Sequence, residues 1–168
     1  NCDSCQENYF FIGNDKSKCY NKIDKDKYYT EDNGTTYFPC NFSISFCEQC
    51  NNKTICEKCE NNYHYIENNK TKCVNESEIE NKKYFFNEED NSYYPCDSLI
   101  NECDECINNI TCTKCKEGYF LIDDNRTHCF NEINKEEYFT EDNGTLYIAC
   151  NSSINNFKNC NNSENCTK

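Results

Sequence analysis

Tryptophan and methionine are absent from the 168-residue chain, glycine occurs four times and proline twice. Alanine and arginine occur once each, as Ala149 and Arg126. No apolar run approaches the length of about 18 residues that a membrane-spanning helix needs, so no such helix is expected. The first residues, Asn1 to Phe10, hold neither an initiator methionine nor a signal-peptide apolar stretch, which suggests a mature or internal segment. With a net charge of −13 and a single arginine, the chain has no basic patch to hold phosphates, so nucleic acid is a poor partner. Leucine, isoleucine, valine and phenylalanine together number only 28 residues. Such a shortage of apolar side chains beside a high net charge ordinarily marks a disordered chain.

Cysteine reverses that inference. The chain has 18 cysteines, a density at which disulfides replace a large apolar core by restricting the unfolded chain. They stand at 2, 5, 19, 40, 47, 50, 56, 59, 73, 96, 103, 106, 112, 115, 129, 150, 160 and 166. The same spacings return with a period of roughly 55 residues, the mark of a repeat architecture. Repeat one covers 1–55, repeat two 56–111 and repeat three 112–165. Residues 166–168 begin a further copy, so the window reads as a fragment of a longer array.

Other residues keep the same register. Each opening Cys-x-x-Cys is followed by an aromatic and aliphatic tetrad: Tyr9 to Ile12, Tyr63 to Ile66, and Tyr119 to Ile122. A polar turn and a cysteine follow, which predicts a short hairpin closed by a disulfide. The two cysteines that bracket it stand far enough apart to close a hairpin, a span suited to Cys5–Cys19, Cys59–Cys73 and Cys115–Cys129. The second half of each repeat predicts another hairpin, with β-prone flanks at 28–38, 84–94 and 138–148. Its turn is Asn33-Gly34 in repeat one and Asn143-Gly144 in repeat three, the preferred turn dipeptide, and Glu89-Asp90-Asn91 in repeat two. No sustained 3.6-residue period marks a helix. The expected fold is small, disulfide-rich and mainly β, a tandem array of hairpin modules forming an extended rod without a sizeable core.

Two Cys-x-x-Cys pairs, Cys103/Cys106 and Cys112/Cys115, then Gly118-Tyr119-Phe120-Leu121 and Cys129, resemble the furin-like or growth-factor-receptor cysteine-rich repeat, abundant in surface proteins of protists. The resemblance covers Cys47 to Cys73 and its copies, about half of each repeat. It implies an extracellular array of disulfide-bonded β modules. It also implies two options for the remaining pairs: Cys40–Cys47 with Cys50–Cys56, or Cys40–Cys50 with Cys47–Cys56, copied at Cys96, Cys103, Cys106 and Cys112. In repeat three Phe157 stands where Cys47 and Cys103 stand. The first option therefore orphans Cys150 and the second Cys166, while Cys160 pairs within its repeat and Cys2 has no partner downstream. These orphans are candidates for links between segments or copies.

The four closely spaced thiols of Cys47, Cys50, Cys56 and Cys59 also have the chemistry of a zinc or iron–sulfur site. Such sites belong mainly to reducing compartments, and the sequons argue for an oxidising one. Asn-x-Ser/Thr occurs at Asn33, Asn41, Asn52, Asn69, Asn75, Asn109, Asn125, Asn143, Asn151, Asn161 and Asn165, where random placement predicts roughly four. Several keep register: Asn33 with Asn143, Asn41 with Asn151, and Asn69 with Asn125. No metal and no cofactor is expected, only covalent N-linked glycans.

Catalysis finds little support, because neither His64 nor His128 stands in a nucleophile setting. Acidic groups such as Glu31-Asp32 and Glu88-Glu89-Asp90 lack the spaced ligand pattern of a calcium loop. The expected function is a non-enzymatic, extracellular structural protein, a glycan-coated rod or filament component at a protist surface. Its partners would be other copies or further repeats. The alternative is a surface adhesin or lectin subunit recognising carbohydrate or a partner protein, with repeat three near Phe157 as the place for a pocket.

Overall fold

A computed structural model describes residues 2–123, 125–133, 137–140 and 144–150, together with the backbone of 159–160 and 166–167. The fold is mainly β, built of short hairpins and brief 3₁₀ turns, and divides into two compact units. One is Asn1–Ile79 with Glu88–Tyr93; the other is Glu80–Asn87 with Tyr94–Lys168.

Unit one begins with strands β1 (Phe10–Ile12), β2 (Asp15–Tyr20), β3 (Tyr28–Thr30) and β4 (Thr36–Pro39). They form one sheet in the order β2-β1-β4-β3. The two outer pairings are antiparallel, as the two sequence-predicted hairpins require. The central pairing is parallel, with Phe11 opposite Thr36 and Ile12 opposite Tyr37. A parallel pair needs a long crossover, and here β2, β3 and their link provide it in place of a helix. Phe11 N–H donates to Thr35 O at 2.9 Å and Gly13 N–H to Tyr37 O at 2.8 Å, while the Phe10 ring meets Tyr37 edge-on at 4.8 Å. The β3–β4 hairpin closes through a longer loop, 31–35, and not the tight turn that Asn-Gly favours. Asn33 and Gly34 do adopt left-handed φ values of 59° and 88°. Thr30 Oγ1 accepts from Gly34 N–H at 3.1 Å, and the Asp32 carboxylate accepts from Thr36 N–H at 2.8 Å, which widens the loop and satisfies its amides.

The chain then makes a 3₁₀ turn at Cys40–Phe42 and the hairpin of β5 (Cys47–Asn52) and β6 (Ile55–Cys59). In a regular strand residues three apart face opposite sides. Register irregularities along this pair let Cys47, Cys50, Cys56 and Cys59 all turn inward and be buried. Cys56 and Cys112, where the sequence period restarts, lie inside β6 and its copy. Strand β7 (Tyr63–Ile66) pairs with β8 (Val74–Asn75), and in parallel with Ser92 and Tyr93. The core of this unit is Tyr29, Ile44 and Tyr65 around six cysteines, Cys40, Cys47, Cys50, Cys56, Cys59 and Cys73. Sulfur, more than aliphatic carbon, fills the interior.

Unit two copies the plan. Strand β9 (Tyr84–Asn87) lies in it, and strand β10 (Ser92–Pro95) contributes its second half, where Tyr94 stacks on Phe85 at 5.7 Å. The hairpin β11 (Cys103–Asn108) and β12 (Thr111–Cys115) has the same register as β5–β6. Strands β13 (Phe120–Ile122), β14 (Asn125–Phe130), β15 (Tyr138–Thr140) and β16 (Leu146–Ala149) repeat the four-stranded sheet, again with a parallel centre. Short strands β17 (Asn159–Cys160) and β18 (Cys166–Thr167) pair antiparallel. The core gathers Phe85, Ile100 and Leu121 around Cys96, Cys103, Cys106, Cys112 and Cys129.

Candidate glycan-acceptor sites on the disulfide frame

Seven disulfides join described residues. Cys5–Cys19, Cys59–Cys73 and Cys115–Cys129 close the tetrad hairpins. Of the two patterns left open for the rest, the structure adopts Cys40–Cys50 with Cys47–Cys56, copied as Cys96–Cys106 with Cys103–Cys112. Cys40–Cys47 and Cys50–Cys56 are not formed. Cys50 and Cys56 face each other across the β5–β6 ladder, so bonding them would only restate a hairpin. The pairs that form instead tie the preceding 3₁₀ turn to β5, and β5 to β6. Cys150 is disulfide-bonded, so the pattern that orphans it is not the one used. The side chains of Cys160 and Cys166, and Phe157, lie outside the described residues. Cys2 is unpaired and exposed, though its backbone keeps the register of Cys56: Cys2 N–H donates to Lys16 O at 2.9 Å as Cys56 N–H does to Lys70 O at 2.8 Å.

The sulfurs of Cys56, Cys59 and Cys73 lie within 4.8 Å of one another, as do those of Cys112, Cys115 and Cys129. All six are committed to disulfides, so none is the thiolate a metal needs. His64 sits half-buried in the sheet, its Nδ1 3.1 Å from Asn91 Oδ1 and its ring edge-on to Tyr93. His128 is exposed beside Phe130. The Glu76 carboxylate also lies 3.8 Å from His64 Nε2.

The sequons are where the frame presents chemistry outward. At Asn52 the side-chain oxygen accepts from Thr54 N–H and from Thr54 Oγ1–H, both at 2.8 Å. At Asn69 the same two bonds come from Thr71 at 3.1 and 2.8 Å, and at Asn125 from Thr127 at 3.2 and 2.6 Å. Asn75 repeats them with Ser77, at 2.9 and 2.7 Å. Each is an Asx-turn in which the sequon hydroxyl doubles the bond. Because both partners are donors, the oxygen must face inward to them, which turns Nδ2, the atom that carries a glycan, the other way. Asn52, Asn69 and Asn125 are exposed and Asn75 is half-buried. Asn33 is exposed in the β3–β4 loop, Asn41 in the 3₁₀ turn after Pro39, and Asn109 in the β11–β12 turn. Asn143, Asn151, Asn161 and Asn165 lie outside the described residues.

Acidic side chains around these sites are mostly solvated. Asp32 is exposed as well but stands out for its hydrogen bonds. Partial desolvation pushes its pKa up, but hydrogen bonds from Thr35, Thr36 and Thr30 outweigh this and hold the carboxyl well below the usual range. Its oxygens are thus taken by loop donors, so the Glu31-Asp32 pair reads as loop architecture rather than a cation site. Lys58 at 2.6 Å and Lys27 at 3.6 Å pair with Glu48, exposed contacts that add little stability.

No family model matches the chain, and no curated protein matches it. Its architecture is that of a cysteine-rich β repeat protein, and disulfides at this density form and persist in oxidising settings such as those of secreted and extracellular proteins. Among the described residues no helix is long and apolar enough to cross a membrane.

Proposed function

We propose that the protein is a non-enzymatic, extracellular structural component, a glycan-coated array of furin-like cysteine-rich modules that provides length and shielding at a protist surface. One observation carries this reading: the same Asx-turn, its oxygen bonded within the sequon so that Nδ2 points away, recurs at Asn52 inside the Cys47–Cys56 loop and at Asn69 and Asn125 inside the equivalent Cys59–Cys73 and Cys115–Cys129 loops. Repeated modules that bury their own cores extend an array without a new fold at each step. Sheets this small expose strand edges, which are templates for unwanted pairing. A neutral, hydrated sugar coat blocks that pairing and also obstructs proteases. Copies of the chain, or further repeats, are the partners this role requires, and neither a metal nor a cofactor enters it.

The test combines glycopeptide mass spectrometry with a protease challenge and imaging of the native particle. The expected result is sugar at Asn52, Asn69 and Asn125, faster cleavage after enzymatic deglycosylation, and extended or filamentous particles. Unmodified asparagine at all three, or a compact monomer that never assembles, refutes the structural role.

A further inference from the structure

The two units can be compared directly where their registers coincide, around Tyr63 and its copy. In unit one Phe46 stacks face to face on Tyr63, with centroids 4.0 Å apart and planes 13° from parallel. One repeat further on, Tyr119 stands in the place of Tyr63 and Glu102 in the place of Phe46. The backbone is unchanged: Glu60 N–H donates to Phe46 O at 2.8 Å and Lys116 N–H to Glu102 O at 2.9 Å, and φ is 62° at Phe46 and 61° at Glu102. The side chain is not. The Glu102 carboxylate lies 3.6 Å from Lys116, and no described ring stacks on Tyr119. A second difference accompanies the first. His64, which holds Asn91 at 3.1 Å in unit one, is replaced by Phe120, whose ring tilts onto Tyr147 at 4.6 Å.

Tyr119 and Phe120 line a cavity of about 500 Å³ in unit two, with Asp104, Lys114, Lys116 and Glu117 as its charged groups. That volume lies within the usual range of small-molecule sites, about 300–1,000 Å³. With Glu105, Asp97 and Glu102, which pair with the same two lysines, carboxylates outnumber ammonium groups around the cavity, which disfavours an anionic ligand. They are also oriented in advance: Lys114 lies 3.3 Å from Asp104 and 3.2 Å from Glu105, and Lys116 lies 2.9 Å from Asp97. Gly118 adds backbone that a ligand can approach, since a Cβ there would meet nothing within 4 Å. An apolar ring face bordered by both donors and acceptors suits a neutral ligand that has both a C–H face and a ring of hydroxyls.

We propose that this cavity binds a single neutral hexopyranose, its C–H face on the Tyr119 ring and its hydroxyls on Asp104, Glu117, Lys114 and Lys116. The site is independent of the structural role above, since an array serves as a coat with or without it. Carboxylates accept from hydroxyls and ammonium groups donate to them, so the set offers both halves of sugar recognition. Aromatic faces supply the apolar half.

The experiment is a saturation-transfer NMR titration of the full chain with methyl glycosides of glucose, galactose, mannose and N-acetylglucosamine. It is run on the glycosylated protein and again after enzymatic deglycosylation, so that the protein's own sugars cannot mask the site. Transfer to the protons of one pyranose face in either form supports the proposal; no transfer from any glycoside in both forms overturns it. Two variants localise the effect. Tyr119→Ala removes the platform. Glu102→Phe rebuilds the stack seen on Tyr63, at a backbone position that already accepts phenylalanine in unit one, and so guards against a misfolded first variant. Both should reduce binding at least tenfold, and binding retained in a folded Glu102→Phe protein refutes the site.

Discussion

Replacing Cys59 and Cys73 together by alanine isolates what one cross-link contributes. The two cysteines have a sequence separation of 14, and the chain-entropy relation for a loop of about 15 residues gives about 3 kcal/mol. Both cysteines are buried, and Cys73 Sγ lies 3.6 Å from Cys56 Sγ, so the deletion also leaves a small void worth roughly 1 kcal/mol. Alanine is preferable to serine because a hydroxyl there would be buried without a partner. A loss of about 3–4 kcal/mol corresponds to a rise of roughly two to three orders of magnitude in amide exchange where opening tracks stability. Hydrogen exchange read by mass spectrometry should show that rise at β7. Strand β13, whose hairpin keeps its own Cys115–Cys129 bond, serves as the internal reference. A rise of less than tenfold at β7, or an equal rise at β13, would show that the cross-link does not act by restricting its own hairpin.

Three further outcomes are expected. Without denaturant, a thiol reagent should label Cys2 and none of the cysteines in the seven disulfides, and peptide mapping that finds label on any of those would contradict the pairing. Asp32 has a folded-state pKa below its unfolded value near 3.9, so its bonds stabilise the β3–β4 loop above that pH and weaken as pH falls through the lower folded value; the Thr36 amide shift should titrate below the range of an ordinary carboxyl, and Asp32→Asn should abolish the titration. Gly34→Ala forces a side chain into φ 88° with its Cβ 3.2 Å from Tyr37 Oη, and denaturant unfolding should show a loss of about 1–2 kcal/mol, whereas no loss would mean that the loop is free to change conformation.

Local pairing was legible and lateral pairing was not. The tetrads and the flanks of Asn33-Gly34 are β-prone and bounded by turn residues, so their hairpins can be written from residues alone. The parallel contact of Phe11 and Ile12 with Thr36 and Tyr37 joins strands that already have antiparallel neighbours, and nothing in the side chains announces a second partner so far along the chain. The choice between cysteine pairings was hidden for a related reason. It turns on strand irregularities between Cys47 and Cys50, and such small register shifts leave no mark in cysteine spacing. The cavity beside Tyr119 had a usable signal, the exchange of Phe46 for Glu102 between aligned repeats. Its meaning depends on the ring that Phe46 covers, which only the fold supplies.

The spacing of the disulfides also makes the protein a chain of unlike links under tension. No bond between described cysteines spans the stretch from Tyr20 to Pro39 or that from Val74 to Pro95. Within 40–56 the loops of Cys40–Cys50 and Cys47–Cys56 overlap, so that stretch can lengthen only slightly before a covalent bond must break. Pulling would therefore spare the sulfur knots and unspool the tyrosine-rich hairpins, which only hydrogen bonds and ring contacts close. Fully extended, each of those stretches holds about 70 Å of contour. Such a molecule yields in discrete steps and recoils when released, because the knots keep every hairpin's ends in register for re-pairing.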